Sequence, residues 1–181
     1  MRPAWYMRFS KGEADPLDRI GGLPSHLPKV FPTNKPIGEE LAFIAQIYCT
    51  PERLSIPNTL CVHLYQAVDD DPLPVAIRIP TDAAENRTSL GRAHPSIRRL
   101  RIDWELKNDP EEIPDCFEFT DEERQLMESK VGGTPYYTDD ELPAGHVYLF
   151  QLCENPAGFN FADRRALVTM DSEGLLHVRL Q

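Results

Sequence analysis

Apolar positions along the chain fall into short runs separated by prolines, glycines and charged turns, a pattern that predicts strands rather than long helices. Trp5-Tyr-Met-Arg-Phe9 is aromatic and partly alternating and predicts a first strand. Leu41 to Tyr48 is almost wholly apolar, which predicts a central strand covered on both faces. Thr59 to Gln66 predicts another, with Leu60, Val62 and Leu64 on one face and Cys61, His63 and Tyr65 on the other. Val75, Ile77 and Ile79 alternate between Pro74 and Pro80, as in an edge strand with proline at its ends. Ile97 to Leu106 reads as a strand or ribbon. His146 to Leu152, Ala166 to Met170 and Leu175 to Leu180 read as three more, the last two joined by the turn Asp171-Ser-Glu-Gly174. One helix is expected. Thr120-Asp-Glu-Glu123 is a capping-box pattern that starts it at Asp121, and it should run to about Ser129 or Lys130, with Gly132 and Gly133 stopping it.

The segments between these runs carry their own signals. Pro24, Pro28, Pro32 and Pro36 exclude regular helix and predict an extended wrap over the sheet, anchored by Leu23, Leu27, Val30 and Phe31. Asn108 to Cys116 reads as an acidic loop, and Asn155 to Asp163 as a loop presenting Phe159 and Phe161 to solvent.

One unit occurs twice. Ile20-Gly21-Gly22-Leu23-Pro24 precedes an apolar run carrying Gln46, and Val131-Gly132-Gly133-Thr134-Pro135 precedes one carrying Gln151. Each copy begins with a basic residue, Arg19 or Lys130. From Gly22 to Gln46 is 24 positions and from Gly133 to Gln151 is 18, so the first copy holds six extra residues between turn and strand. The expected fold is α+β, predominantly antiparallel β, built as a duplicated β-rich unit with few helices. A single domain over 1–181 would merge two repeats, at about 1–80 and 118–181, around an irregular central segment. Gly21, Gly22, Pro24, Gln46, Gly132, Gly133, Pro135 and Gln151 form its structural motif. Each glutamine lies in a run too apolar to leave its amide unpaired, so both should bond backbone of the glycine turn or the proline-rich wrap.

Composition narrows the function classes. The chain has 181 residues, of which 19 are basic and 29 acidic, a net charge of −10. Phosphate backbones require clustered Lys and Arg, so nucleic acid is not an expected partner and a basic protein suits the balance better. Arg98, Arg99 and Arg101 make the one basic cluster, and Asp69-Asp-Asp71 reads as a solvated turn. No apolar run reaches the roughly 20 residues of a membrane span, and Met1-Arg-Pro-Ala-Trp-Tyr6 lacks a secretory apolar segment, so a cytoplasmic location is expected. Cys49, Cys61, Cys116 and Cys153 include no C-x-x-C pair and read as buried thiols rather than metal ligands. His26, His63, His94, His146 and His177 are scattered, and no nucleophile elbow, phosphate loop or zinc-protease motif is present. Cys61 and His63 lie two apart on one strand face, where a buried structural pair is the expected reading. No cofactor is called for.

Taken together, these residues resemble the YwqG-like family of bacterial proteins. The carriers are Ile20 to Pro24, Leu41 to Ile47, Leu64-Tyr-Gln66, Gly132 to Pro135, Tyr148 to Leu152 and Phe159 to Asp163. The sequence departs from the family at Ala162-Asp-Arg-Arg165, where a small glycine-containing turn is usual. The family looks related to the eukaryotic programmed cell death 2 proteins, chaperones of a nascent ribosomal protein. The resemblance implies a duplicated β-rich fold and a role in protein binding. A non-enzymatic protein- or peptide-binding module, chaperone-like towards a basic cytoplasmic protein, is therefore expected. An immunity protein that neutralises a toxin and an enzyme of unknown reaction are the alternatives.

Overall fold

A computed structural model describes residues 1–12, 17–34, 38–68, 73–113, 120–136, 142–155 and 157–181. The elements in chain order are β1 (Arg2–Ser10), β2 (Arg19–Ile20), β3 (Thr33–Asn34), β4 (Glu39–Glu40), β5 (Ala42–Tyr48), β6 (Thr59–Gln66), β7 (Val75–Pro80) and β8 (Leu100–Asp109). They continue with α1 (Asp121–Leu126), β9 (Lys130–Gly132), β10 (Val147–Cys153), β11 (Arg165–Met170) and β12 (Leu176–Leu180). The protein is thus mostly antiparallel β, and the helix described spans six residues. Among the described residues no helix is long and apolar enough to cross a membrane. Asp69 to Asp71 and Cys116 lie outside the described residues.

Ten strands form one sheet in the order β12-β11-β10-β9-β1-β8-β2-β5-β6-β7, and β3 pairs with β4 separately. Every ladder of the large sheet is antiparallel. The sheet curls until its end strands β7 and β12 lie alongside each other, giving a nearly closed barrel. Ile20, Ile47, Val62, Leu64, Ile102, Val131, Phe150 and Val168 fill one continuous core inside it. Period-2 alternation then sends Phe43, Tyr65, Cys61 and Tyr48 to two smaller clusters on the other face.

The middle of the sheet is the long pairing of β1 with β8, from Arg2↔Asp109 to Ser10↔Arg101. On either side of it the local registers coincide. Arg19 lies opposite Gln46 and Ile20 opposite Ala45 on one side; Lys130 lies opposite Gln151 and Val131 opposite Phe150 on the other. Both glutamine strands carry a bulge two residues before the glutamine, at Ile44 and at Leu149. Bulges sharpen strand twist, and these two help curl the sheet at matching places.

The structure corrects several sequence expectations. The central segment is not irregular throughout, because residues 100–109 form the longest strand and sit mid-sheet. The helix ends at Leu126 rather than near Lys130, since Lys130 and Val131 are held by ladders to β1 and β10. Gly132 and Gly133 therefore turn the chain out of β9 and do not cap the helix. The capping box forms by half. The Thr120 hydroxyl accepts from Glu123 N at 3.1 Å, while the Glu123 carboxylate accepts from the Tyr136 hydroxyl. Phe159 and Phe161 are buried and stacked at 5.0 Å, because the Glu154 carboxylate accepts from the backbone of Phe161 and Asp163 and folds the loop inward. Val30, expected to anchor the wrap, is 80% exposed, whereas Phe31 packs edge-on to Tyr65.

Candidate functional site

Positive φ at both pairs, +67° and +74° at Gly21 and Gly22 and +69° and +73° at Gly132 and Gly133, turns the chain sharply after each short strand. The following prolines, Pro24 and Pro135, are buried. Gln46 and Gln151 are fully buried one strand away. Gln46 Oε1 accepts from Ser25 N at 3.1 Å, and its Nε2 donates to Leu17 O at 2.6 Å. Gln151 Oε1 accepts from Tyr136 N at 3.2 Å, and its Nε2 donates to Leu126 O at 2.7 Å and Glu128 O at 2.8 Å. Each amide thus clamps the backbone entering the short strand to the backbone leaving its glycine turn. The backbone donors to the two Oε1 atoms, Ser25 N and Tyr136 N, lie one residue beyond the prolines, not in the Gly-Gly pair itself. Gln46→Leu and Gln151→Leu should each cost about 1–3 kcal/mol by leaving these buried groups unsatisfied. Thermal unfolding would show melting temperatures lower by roughly 2–4 °C per kcal/mol; unchanged melting in both variants would contradict a clamping role.

A neighbouring pair of contacts repeats as well. Tyr48 N donates to Asp18 Oδ1 at 2.6 Å, and Cys153 N donates to Ser129 Oγ at 2.9 Å. Asp18 also takes Trp104 Nε1 at 2.8 Å and Arg53 at 2.7 Å, with the guanidinium 4.0 Å over the Trp104 ring. Burial raises the Asp18 carboxyl above its ordinary value in spite of Arg53.

Sequence reading missed the charged centre of the second half. Asp109, placed in a surface loop by its acidic neighbourhood, is fully buried at the end of β8. It accepts from Lys130 Nζ at 2.5 Å, from Thr134 N at 3.0 Å and from the Tyr6 hydroxyl. Lys130 is also fully buried and lies 5.4 Å from the Tyr6 ring centroid. Burial pulls the Lys130 ammonium below its ordinary value, with Asp109 opposing. Burial and the Asp109 contact push the Tyr6 phenol up. The only signal in the sequence was Lys130 heading the second motif.

Around Gln46 the arrangement is open. Ser25 Oγ donates to Gln46 Oε1 at 2.8 Å and lies 2.9 Å from His26 Nδ1, which is also 2.9 Å from the Tyr48 hydroxyl. These groups face a cleft of about 570 Å³ between the glycine–proline segment and residues 85–89, with Arg19, Arg87 and Arg99 in its walls. Because the Ser25 proton is engaged by Gln46, this serine is not arranged for activation by His26.

The second concave surface is the seam between the sheet edges. Ala76, Ile77, Arg78 and Pro80 on one side and Gly174 to His177 on the other border a groove of about 660 Å³. Val75 and Leu175 expose apolar surface beside it. Arg78 spans the seam, donating to Gly174 O at 3.1 Å, to Pro57 O at 2.7 Å and to Thr59 Oγ1 at 2.9 Å.

Cys61 and His63 are fully buried. His63 Nδ1 lies 3.2 Å from the Tyr65 hydroxyl, its ring stands edge-on to Phe43, and burial lowers its pKa to about 3. Burial also raises the Cys61 thiol, so neither group is poised for chemistry near neutrality. Among the described residues no group of three or more His, Cys, Asp or Glu is placed to hold a metal ion. Compared with known proteins, the chain matches no family model and no curated protein.

Proposed function

We propose that the chain is a protein- or peptide-binding module, chaperone-like towards a basic cytoplasmic protein, which takes up an extended segment at the β7–β12 seam. One observation carries this reading: the ten-stranded sheet ends in two strands that lie side by side without a shared ladder, next to an apolar-rich groove. Edge strands offer unpaired backbone groups, and an added strand satisfies them while alternate side chains enter adjoining pockets. The net charge of −10 favours a basic occupant. Selection of extended peptides on the intact protein tests this. Selected sequences should be basic with alternating apolar positions, and their association rates should fall as salt rises, because exposed charges are screened over about 8–10 Å near physiological ionic strength. Acidic sequences, or association indifferent to salt, would overturn it.

The duplicated unit and the YwqG-like resemblance belong to the same proposal. Their support is the matched registers, bulges and glutamine clamps. The same pattern extends to β1 and β8. Met7 N donates to Ser129 O at 2.9 Å and Ile102 N to Asp18 O at 3.3 Å, where Ser129 and Asp18 occupy matching positions just before β9 and β2. In this reading β1 and β8 are the first strands of their repeats, each paired with the short strand of the other. The second repeat then begins near residue 100, not 118. Exchange of first strands would make the halves inseparable, as a single merged domain requires.

A further inference from the structure

We propose that the cleft beside Gln46 is a binding site for a small phosphorylated molecule, separate from the seam. Features that recur in both halves serve the framework; among the described residues the Ser25, His26 and Tyr48 cluster occurs around Gln46 and has no counterpart around Gln151. At the matching place around Gln151, Tyr136 follows the proline, its ring lies 4.7 Å beneath the Arg165 guanidinium, and its hydroxyl donates to Glu123. Tyr136 is buried there, whereas Ser25 and His26 remain partly accessible in a cleft of about 570 Å³.

The donors in this cleft suit a phosphate. Arg19, Arg87, Arg99 and His26 line it against one carboxylate, Glu85, which already pairs with Arg87 at 2.9 Å. That is a local reversal of sign on a chain of net charge −10. Guanidinium groups bind phosphate oxygens through paired N–H donors, and neutral donors around the site fix orientation. Asn86 supplies no such donor, since its amide is spent on Pro24 O at 2.9 Å and Leu90 O at 2.7 Å, where it ties the two walls together. The backbone reinforces that tie, with Asn86 N donating to Ser25 O and Leu27 N to Ala84 O. The site is therefore held open by bonded walls rather than by chance packing. Its volume far exceeds a phosphate group and lies within the range of small-molecule pockets, roughly 300–1,000 Å³. Leu17 and Leu23 offer apolar surface to whatever carries the phosphate.

Titration of the full chain with phenyl phosphate, followed by calorimetry and amide chemical shifts, tests the site. Binding should perturb the amides of residues 22–26 and 85–89, and inorganic phosphate should bind more weakly at the same residues. Benzoate at matched ionic strength should bind more weakly still. Arg99→Gln changes an exposed side chain and should weaken phenyl phosphate roughly tenfold with melting unchanged. Gln46 and the seam are untouched by that variant, so its outcome is independent of peptide binding. No saturable binding by the wild-type protein, equal binding by Arg99→Gln, or perturbation confined to other surfaces would overturn the proposal.

Discussion

Asp109→Ala is expected to destabilise the protein by about 3–5 kcal/mol, the usual effect of removing one partner of a buried ion pair. The substitution strands the fully buried Lys130 ammonium and removes the acceptor of the Tyr6 hydroxyl and of Thr134 N. The damage lies in the charge left behind rather than in lost attraction. Asp109→Ala combined with Lys130→Met should therefore be more stable than Asp109→Ala alone, because no unpaired charge then remains inside. Urea unfolding of the two variants gives the comparison. A small effect of the single substitution, or a double variant no better than the single, would contradict the buried pair.

The second large effect concerns the second glycine of each Gly-Gly pair, Gly22 and Gly133. Gly22 and Gly133 have nearly the same φ, +74° and +73°, so a side chain at either meets the left-handed backbone cost of roughly 1–2 kcal/mol. Their surroundings differ. A methyl at Gly22 would meet the flexible Arg99 side chain at 3.6 Å, whereas one at Gly133 would overlap the Asp109 carboxylate and lie 2.6 Å from the Ala4 methyl. Gly22→Ala should cost the backbone term alone, and Gly133→Ala about 3 kcal/mol or more. Equal losses in the two variants would show that Asp109 is not packed as described.

What the sequence made legible was the repeated local chemistry. Gly-Gly, proline and a lone glutamine in an apolar run are recognisable because each imposes a local demand: a left-handed turn, a stiff exit and an amide needing partners. The edge character of β7 was legible from its flanking prolines. Asp109 was not, because its partners Tyr6 and Lys130 are 103 and 21 residues away and its neighbours are acidic. Phe159 and Phe161 looked exposed among polar residues, and only the Glu154 contacts explain their burial. The sequence predicts too long a helix because Gln125 to Lys130 suits a helix locally, and strand pairing by Lys130 and Val131 overrides that preference. The cleft is hidden in the sequence for a similar reason: Arg99 stands in a linear basic cluster with Arg98 and Arg101, yet it lines the same cleft as Ser25 and His26.

Strand addition at the seam would show in backbone hydrogen exchange. With a selected basic peptide bound, amides of Val75 to Ile79 that point away from β6, and those of Leu176 to Leu180 that point away from β11, should gain protection. Arg78→Ala removes the side chain that spans the two edges and should speed exchange there in the free protein. Peptide binding that leaves both edges as exchangeable as before, with protection elsewhere on the sheet, would contradict strand addition at the seam.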